Sequence, residues 1–141
     1  MIIRDATIKD IPAIAALEQS CFSDPWPEDF IRRRLAKLLI AEGDDGTFLG
    51  YAAFDSVLDE GNLDSIAVVP DHRRQGAADA LMAEAIRRGR ADSYAFITLE
   101  VRASNQAAIA LYHKHGFVPV GRRTNYYERP REDAILMTLV L

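Results

Sequence analysis

The sequence predicts a mixed α/β (α+β) domain, a largely antiparallel sheet covered by helices, and three observations predict it. An apolar, β-branched run, Ile66-Ala67-Val68-Val69, passes through a charged turn into a Gly/Ala-rich helix that begins at Ala77. The middle of the chain then alternates helix and strand, with FITLEV at 96–101 followed by a helical stretch at 105–115. Segments of hairpin type lie at both ends, which sets strands beside strands as well as beside helices. At 141 residues the chain has the length of one domain, residues 1–141, with a single core.

Each element has a local reason. Ile2 and Ile3 before Arg4 make a short first strand. Thr7 and Asp10 resemble a capping box, and Ile11, Ile14 and Leu17 follow at helical spacing, with Pro12 in the first turn where its missing N–H costs little. The stretch from Cys21 to Pro27 must be a loop, because Pro25 and Pro27 forbid continuous helix. Pro27 then opens a second helix that the spacing of Phe30, Ile31 and Leu35 carries to about Lys37. Residues 38–42 and 47–54 flank Gly43-Asp44-Asp45-Gly46 as a hairpin, and 55–61 form a second turn leading into the central strand. The helix from Ala77 ends near Gly89. Ser104 caps the helix that runs from about Asn105 to His115, and Gly116 closes it. Residues 117–126 and 134–141 are two closing strands joined by a polar loop holding Pro130.

Composition excludes several classes. Apolar content of 49% and charged content of 27% are ordinary for a globular chain. No apolar run spans a bilayer, and MIIRDATIKD lacks the layout of a signal peptide, so neither a membrane partner nor export is expected and the cytoplasm is. The lone Cys21 allows no internal disulfide, in keeping with a reducing compartment. A net charge of −4 argues against nucleic acid as a partner and leaves room for a basic peptide. His72, His113 and His115 lack the spacing and acidic companions of a metal site, and no metal is expected.

The turn after the central strand reads Arg73-Arg74-Gln75-Gly76-Ala77-Ala78-Asp79. A helix start leaves backbone N–H groups without partners at its positive end, and small residues let an anion approach them. Two arginines beside it can hold phosphate through their planar forks. An ordinary strand-to-helix turn with solvated arginines fits the same residues. Neither a Walker motif nor GxGxxG is present, which disfavours nucleotide hydrolysis and dinucleotide binding.

R-R-Q-G-A-A resembles the Q/R-x-x-G-x-G/A signature of the GCN5-related N-acetyltransferase (GNAT) superfamily. Two further stretches match in family order: LEVRASN at 99–105 followed by ALYHKHGF at 110–117, and NYY at 125–127 followed by REDAILM at 131–137. Together they resemble one branch, the RimI-type enzymes that acetylate the N-terminal alanine of a small-subunit ribosomal protein. The resemblance implies the acetyltransferase fold, in which the central parallel strands splay apart and the acyl thioester lies between them. It implies acetyl-CoA as cosubstrate, held by Ile66, Ala67, Val68, Arg73, Arg74, Gln75, Gly76, Ala77, Ala78, Asp79 and Asn105, and the N-terminal segment of a ribosomal protein as partner. A PWP-type loop borders the acceptor groove in this branch, which makes Trp26 a candidate wall, with Tyr126 and Tyr127 beside it. Ala77 and Ala78 stand where a bulkier aliphatic and Gly are common, and Thr124 where a basic residue is.

Glu100 breaks an otherwise apolar strand, where a carboxylate is costly unless paired or functional; on a period of two it also fits a solvent face. The resemblance implies a general base acting through water. Tyr112 lies about 10 Å along the helix from Asn105, on the same face. Bare, it reads as core packing; in A-L-Y-x-x-x-G-F the resemblance makes it the acid that protonates the departing thiolate. Asn105 is either a helix cap or a cofactor ligand, and both roles are compatible. The developing oxyanion needs a preorganised donor, implied to be the Val68 N–H. Cys21 has no His partner in the sequence pattern, which disfavours a covalent route.

Proton arithmetic bears on the acceptor. An α-amine of pKa about 7.7–8 is roughly a tenth neutral at pH 7, whereas lysine near 10.4 is neutral about once in a few thousand. A modest water-linked base therefore serves an N-terminal amine more easily. A small-molecule amine acetyltransferase and a non-catalytic acyl-CoA-binding module share the cofactor motif and are the alternatives.

Overall fold

The computed structural model describes residues 1–141. Seven strands, β1 (Ile2–Asp5), β2 (Leu38–Glu42), β3 (Phe48–Val57), β4 (Glu60–Val68), β5 (Phe96–Arg102), β6 (Val118–Tyr127) and β7 (Glu132–Val140), are joined by four α-helices, α1 (Ile11–Cys21), α2 (Glu28–Arg33), α3 (Ala77–Ala91) and α4 (Gln106–Lys114). The strand order is β1-β2-β3-β4-β5-β7-β6. β4 and β5 are parallel, from Glu60↔Phe96 to Leu63↔Leu99, and both strands run on past that last rung. The predicted mixed, mostly antiparallel sheet with a parallel central pair is the one observed. No helix is long and apolar enough to cross a membrane.

The chain divides into two compact units. The first comprises Met1–Phe54 and Ser65–Glu84. Its core gathers Ile11, Ile14 and Leu17 of α1, Ile31 of α2, Leu38 and Ile40 of β2, Tyr51 of β3 and Ala67 of β4. The stripe at 11, 14 and 17 buries one face of α1, as its spacing predicts. The helix is preceded by a single 3-10 turn over Ile8–Asp10. There the Thr7 N–H donates to Asp10 Oδ2 at 2.7 Å, and Arg4 grips the same carboxylate through two nitrogens at 2.8 Å each. Arg4 Nε also donates to Glu42 at 3.2 Å, so one guanidinium ties β1, β2 and the start of α1 together.

The second unit comprises Asp55–Asp64 and Ala85–Leu141. β5 alternates strictly, with Ile97, Leu99 and Val101 buried and Thr98, Glu100 and Arg102 on the other face. β7 lies antiparallel to it, from Phe96↔Val140 to Arg102↔Ala134, and β6 in turn pairs β7 with irregularities at 119/121 and 123/127. Nearly all of β6 is exposed, while Phe117 just before it is fully buried.

Several boundaries differ from the sequence expectation. The second helix stops at Arg33, with Pro27 as its cap, because Arg34 leaves the helical region at φ −103°, ψ 9° and a 3-10 turn over Leu35–Lys37 leads into β2. β3 and β4 extend through most of the stretch expected to be a turn, leaving only Leu58 and Asp59 between them, with Leu58 at φ 56°. The cap of α4 is Asn105, whose side chain accepts the Ala108 N–H at 3.1 Å, and not Ser104.

Candidate functional site

In the first unit, the expected cofactor residues lie along one continuous path from strand to helix. Ala67 and Val68 are buried at the end of β4, with Ile66 half-buried before them. The Val69 N–H beyond them donates to Leu49 of β3 at 2.8 Å, which fixes the strand end. Arg73, Arg74, Gln75 and Gly76 are exposed, Ala77 is buried, and Ala78 and Asp79 are half-buried in the first turn of α3. Arg74 at φ 63° and Gly76 at φ 88° are both left-handed. A Cβ at Gly76 would meet nothing within 4 Å, so the space over the turn is open. The Ala80 N–H already closes the first helical bond on Gly76. Open backbone donors at the start of a helix of this length suit a phosphate group.

Arg73, expected beside the phosphate, also makes contacts of its own in this unit. Its Nε donates to the Val68 carbonyl at 3.2 Å and its Nη2 lies 3.4 Å from Cys21 Sγ. It braces the end of β4 to the end of α1.

Trp26, the chain's single tryptophan, stands in the loop between α1 and α2. Its ring packs against Phe30 at 5.0 Å and Tyr51 at 6.4 Å, and the Arg34 guanidinium lies 4.5 Å from the Phe30 ring centre. Below it is a buried polar network that the sequence reading did not identify. Glu18, 2% exposed, accepts the Trp26 N–H at 2.8 Å and the Tyr51 hydroxyl proton, and the Tyr51 oxygen is 3.1 Å from Ser65 Oγ. Desolvation pushes the Glu18 carboxyl above its ordinary value, against the pull of those two donors. The signal was present: Glu18 falls on the stripe of Ile11, Ile14 and Leu17, where a charge stands out.

The second unit gathers the other expected residues. Glu100 lies on the polar face of β5, the face that the period-two reading offered it. The Tyr126 hydroxyl donates to its carboxylate, and Arg123 Nε stands 3.7 Å away. Tyr126 and Tyr127 meet edge to face at 5.0 Å. Tyr127, half-buried beside Glu100, has its phenol pushed up to about 12, chiefly by desolvation. Tyr112 is buried, 7% exposed, and packs on Phe117 at 6.0 Å. Burial first, then the neighbouring Tyr127, raises its phenol above the ordinary range. Like any phenol it keeps its proton at neutral pH, and that proton is available to donate. Asn105, exposed at the start of α4, spends its Oδ1 on the cap and keeps its amide N–H₂.

The arginines near NYY divide. Arg122 pairs with Asp133 at 2.7 Å, and the same carboxylate takes the Asn125 N–H at 2.8 Å, so Arg122 helps to organise the turn. Arg102 is the second anchor that sequence reasoning missed. It donates to the carbonyls of Pro130 at 2.9 Å and Glu128 at 3.0 Å and to Glu132 at 3.3 Å, while Glu132 also accepts the Ser104 N–H at 2.6 Å.

Residues 11–117 match the model of the acetyltransferase (GNAT) family. The [ribosomal protein bS18]-alanine N-acetyltransferase of Escherichia coli K12 is 40% identical over 134 residues, covering 92% of this chain and 90% of its own length. The enzyme of the same name from Haemophilus influenzae is 32% identical, covering 94% and 93%. Among solved structures, the E. coli ribosomal-protein-S18-alanine N-acetyltransferase superimposes with a TM-score of 0.89 at 37% identity over 99% of this chain and 92% of that one. Ard1 from Thermoplasma volcanium gives 0.91 at 26% identity over 99% and 97%.

Proposed function

The chain belongs to the acetyltransferase (GNAT) family, and from that premise we propose that it moves the acetyl group of acetyl-CoA onto the α-amine of a protein beginning with alanine, ribosomal protein bS18, in the bacterial cytoplasm. The observation that carries this reading is the likeness, over nearly the whole length of both chains, to enzymes of that activity. The match at residues 11–117 runs through both compact units, which supports treating 1–141 as one catalytic domain.

The roles follow from what amide formation from a thioester requires. The turn Arg74-Gln75-Gly76 and the first N–H groups of α3, at Ala77, Ala78 and Asp79, hold the diphosphate of the cosubstrate. Arg73 holds the end of β4, so that Ile66, Ala67 and Val68 present a fixed backbone and the Val68 N–H meets the developing oxyanion. Asn105 offers its free amide N–H₂ to the pantetheine arm. Glu100 takes the proton of the acceptor amine through water, and the Tyr112 hydroxyl gives one to the thiolate as it leaves. No bond to the enzyme forms. Trp26, Tyr126 and Tyr127 bound the acceptor, and the Tyr126 hydroxyl orients the Glu100 carboxylate.

The test is mass spectrometry of the purified protein with acetyl-CoA, synthetic peptides beginning Ala, Ser or Met, and a polyamine. Acetylation confined to the α-amine of the Ala peptide is the expected result. Transfer to the polyamine alone would overturn the acceptor assignment.

A further inference from the structure

We propose that Glu18 is a positioning residue for the acceptor: its carboxylate pins the loop that carries Trp26, and this hold sets the KM for the acceptor peptide without touching that for acetyl-CoA. The inference rests on the reading of Trp26 as a wall of the acceptor site.

In Pro25-Trp26-Pro27 both prolines lack an N–H, so Trp26 supplies the only one, and it goes to Glu18 Oε1 at 2.8 Å. The other oxygen, Oε2, takes the Tyr51 hydroxyl proton. Since Tyr51 gives its one proton to Glu18, the contact of 3.1 Å to Ser65 Oγ runs the other way, with Ser65 donating. The chain of bonds is therefore directional, from Ser65 through Tyr51 to Glu18. It ends on a group that accepts at both oxygens, as only a carboxylate does.

Packing alone does not account for this residue. Glu18 sits 2% exposed on the apolar face of α1, where a leucine would fill the space without desolvating a charge. A leucine has no acceptor for the Trp26 N–H, and that donor would then be buried unpaired or would leave with its loop. Tyr51 serves the arrangement twice, since its hydroxyl orients Glu18 and its ring lies 6.4 Å from the indole. Phe30, at 5.0 Å, backs the indole from α2. The loop's backbone at Trp26 and the indole itself are thus held by the same two residues of the core.

Trp26 is the chain's only tryptophan, so fluorescence excited above the tyrosine absorption band reports on this loop. Acrylamide quenching and steady-state kinetics with the Ala peptide would be measured for the wild type, Glu18→Ala and Glu18→Gln. In Glu18→Ala the acceptor KM should rise about 10-fold and quenching should increase, with the KM for acetyl-CoA unchanged. Glu18→Gln keeps one acceptor for the Trp26 N–H, and Tyr51 can turn to receive from its amide, so it should restore both readouts to within about 3-fold of the wild type. Unchanged quenching in Glu18→Ala overturns the inference. So does an acceptor KM that stays flat while quenching rises, and in that case the transferase reading stands. A wild type that acetylates no peptide sinks the functional reading instead. Should Glu18→Ala not fold, amide exchange of the wild type decides: protection at the Trp26 N–H supports the hold, and exchange at the rate of an unstructured amide removes it.

Discussion

The guanidinium carbon of Arg102 stands 4.4 Å from the ring centre of Tyr127. The same side chain reaches the carbonyls of Glu128 and Pro130, so the last residue of β5 holds the turn between β6 and β7 from below. Lysine keeps the charge but loses the planar fork and most of the stacking. Arg102→Lys should cost about 2 kcal/mol of stability, read from urea midpoints, and should raise the acceptor KM while the affinity for acetyl-CoA holds.

We assign Glu100 and Tyr112 two different proton transfers, one from the amine and one to the thiolate, and this separates their variants. Glu100→Gln and Tyr112→Phe should each lower kcat by about 10²-fold or more with little change in acetyl-CoA binding. An acetyl thioester with a more acidic thiol needs less help in leaving. It should rescue Tyr112→Phe and leave Glu100→Gln impaired; equal rescue of both would remove the division of roles.

Gly50 of β3 faces the end of β4. A Cβ there would press on the carbonyl oxygen of Ala67 and stand 3.0 Å from Val68 Cα, with backbone on both counts. Gly50→Ala should therefore destabilise by about 1–3 kcal/mol and, by shifting the end of β4, weaken acetyl-CoA several-fold in isothermal titration. A variant as stable as the wild type with unaltered binding would show that the strand end is not held to that tolerance.

Asp10 supplies a pH signature. The hydrogen bonds from Arg4 come first, with the Thr7 N–H behind them, and they hold its carboxyl below the ordinary 3.8. A carboxyl depressed in the folded state contributes stability that is complete above the unfolded value and vanishes as pH falls through the folded one. Asp10→Asn should cost about 2 kcal/mol at pH 7. The gap should narrow only below about pH 4, in urea titrations of the two proteins side by side.

Local chemistry made much of this legible. The strand-turn-helix from Ile66 to Ile86, the alternation of β5 and the stripe of α1 are periodic, and period is visible in sequence. So were Glu100 on the polar face of its strand and the dual character of Asn105, which is a cap in fact. The insertion of β7 between β5 and β6 was not legible, because pairing between distant strands leaves no local trace. The early end of α2 depends on one backbone turn at Arg34, at a position whose side chain reads as helical. The contact of Arg73 with Cys21 and the hold of Glu18 on Trp26 join residues that no local pattern connects. Only the buried charge on the stripe of α1 hinted at the second.

The open edge of β6 has a consequence for how the molecule behaves in a crowd. It ends the sheet and shows Val118 and Val120, 53% and 61% exposed, to any strand that arrives. A flat edge of that kind invites a neighbouring copy to add itself. Here Pro119 has no N–H to offer between the two valines, the ladder slips at 119/121, and Arg122 and Arg123 follow directly. The edge is interrupted, irregular and charged within six residues, features that oppose the addition of a second strand.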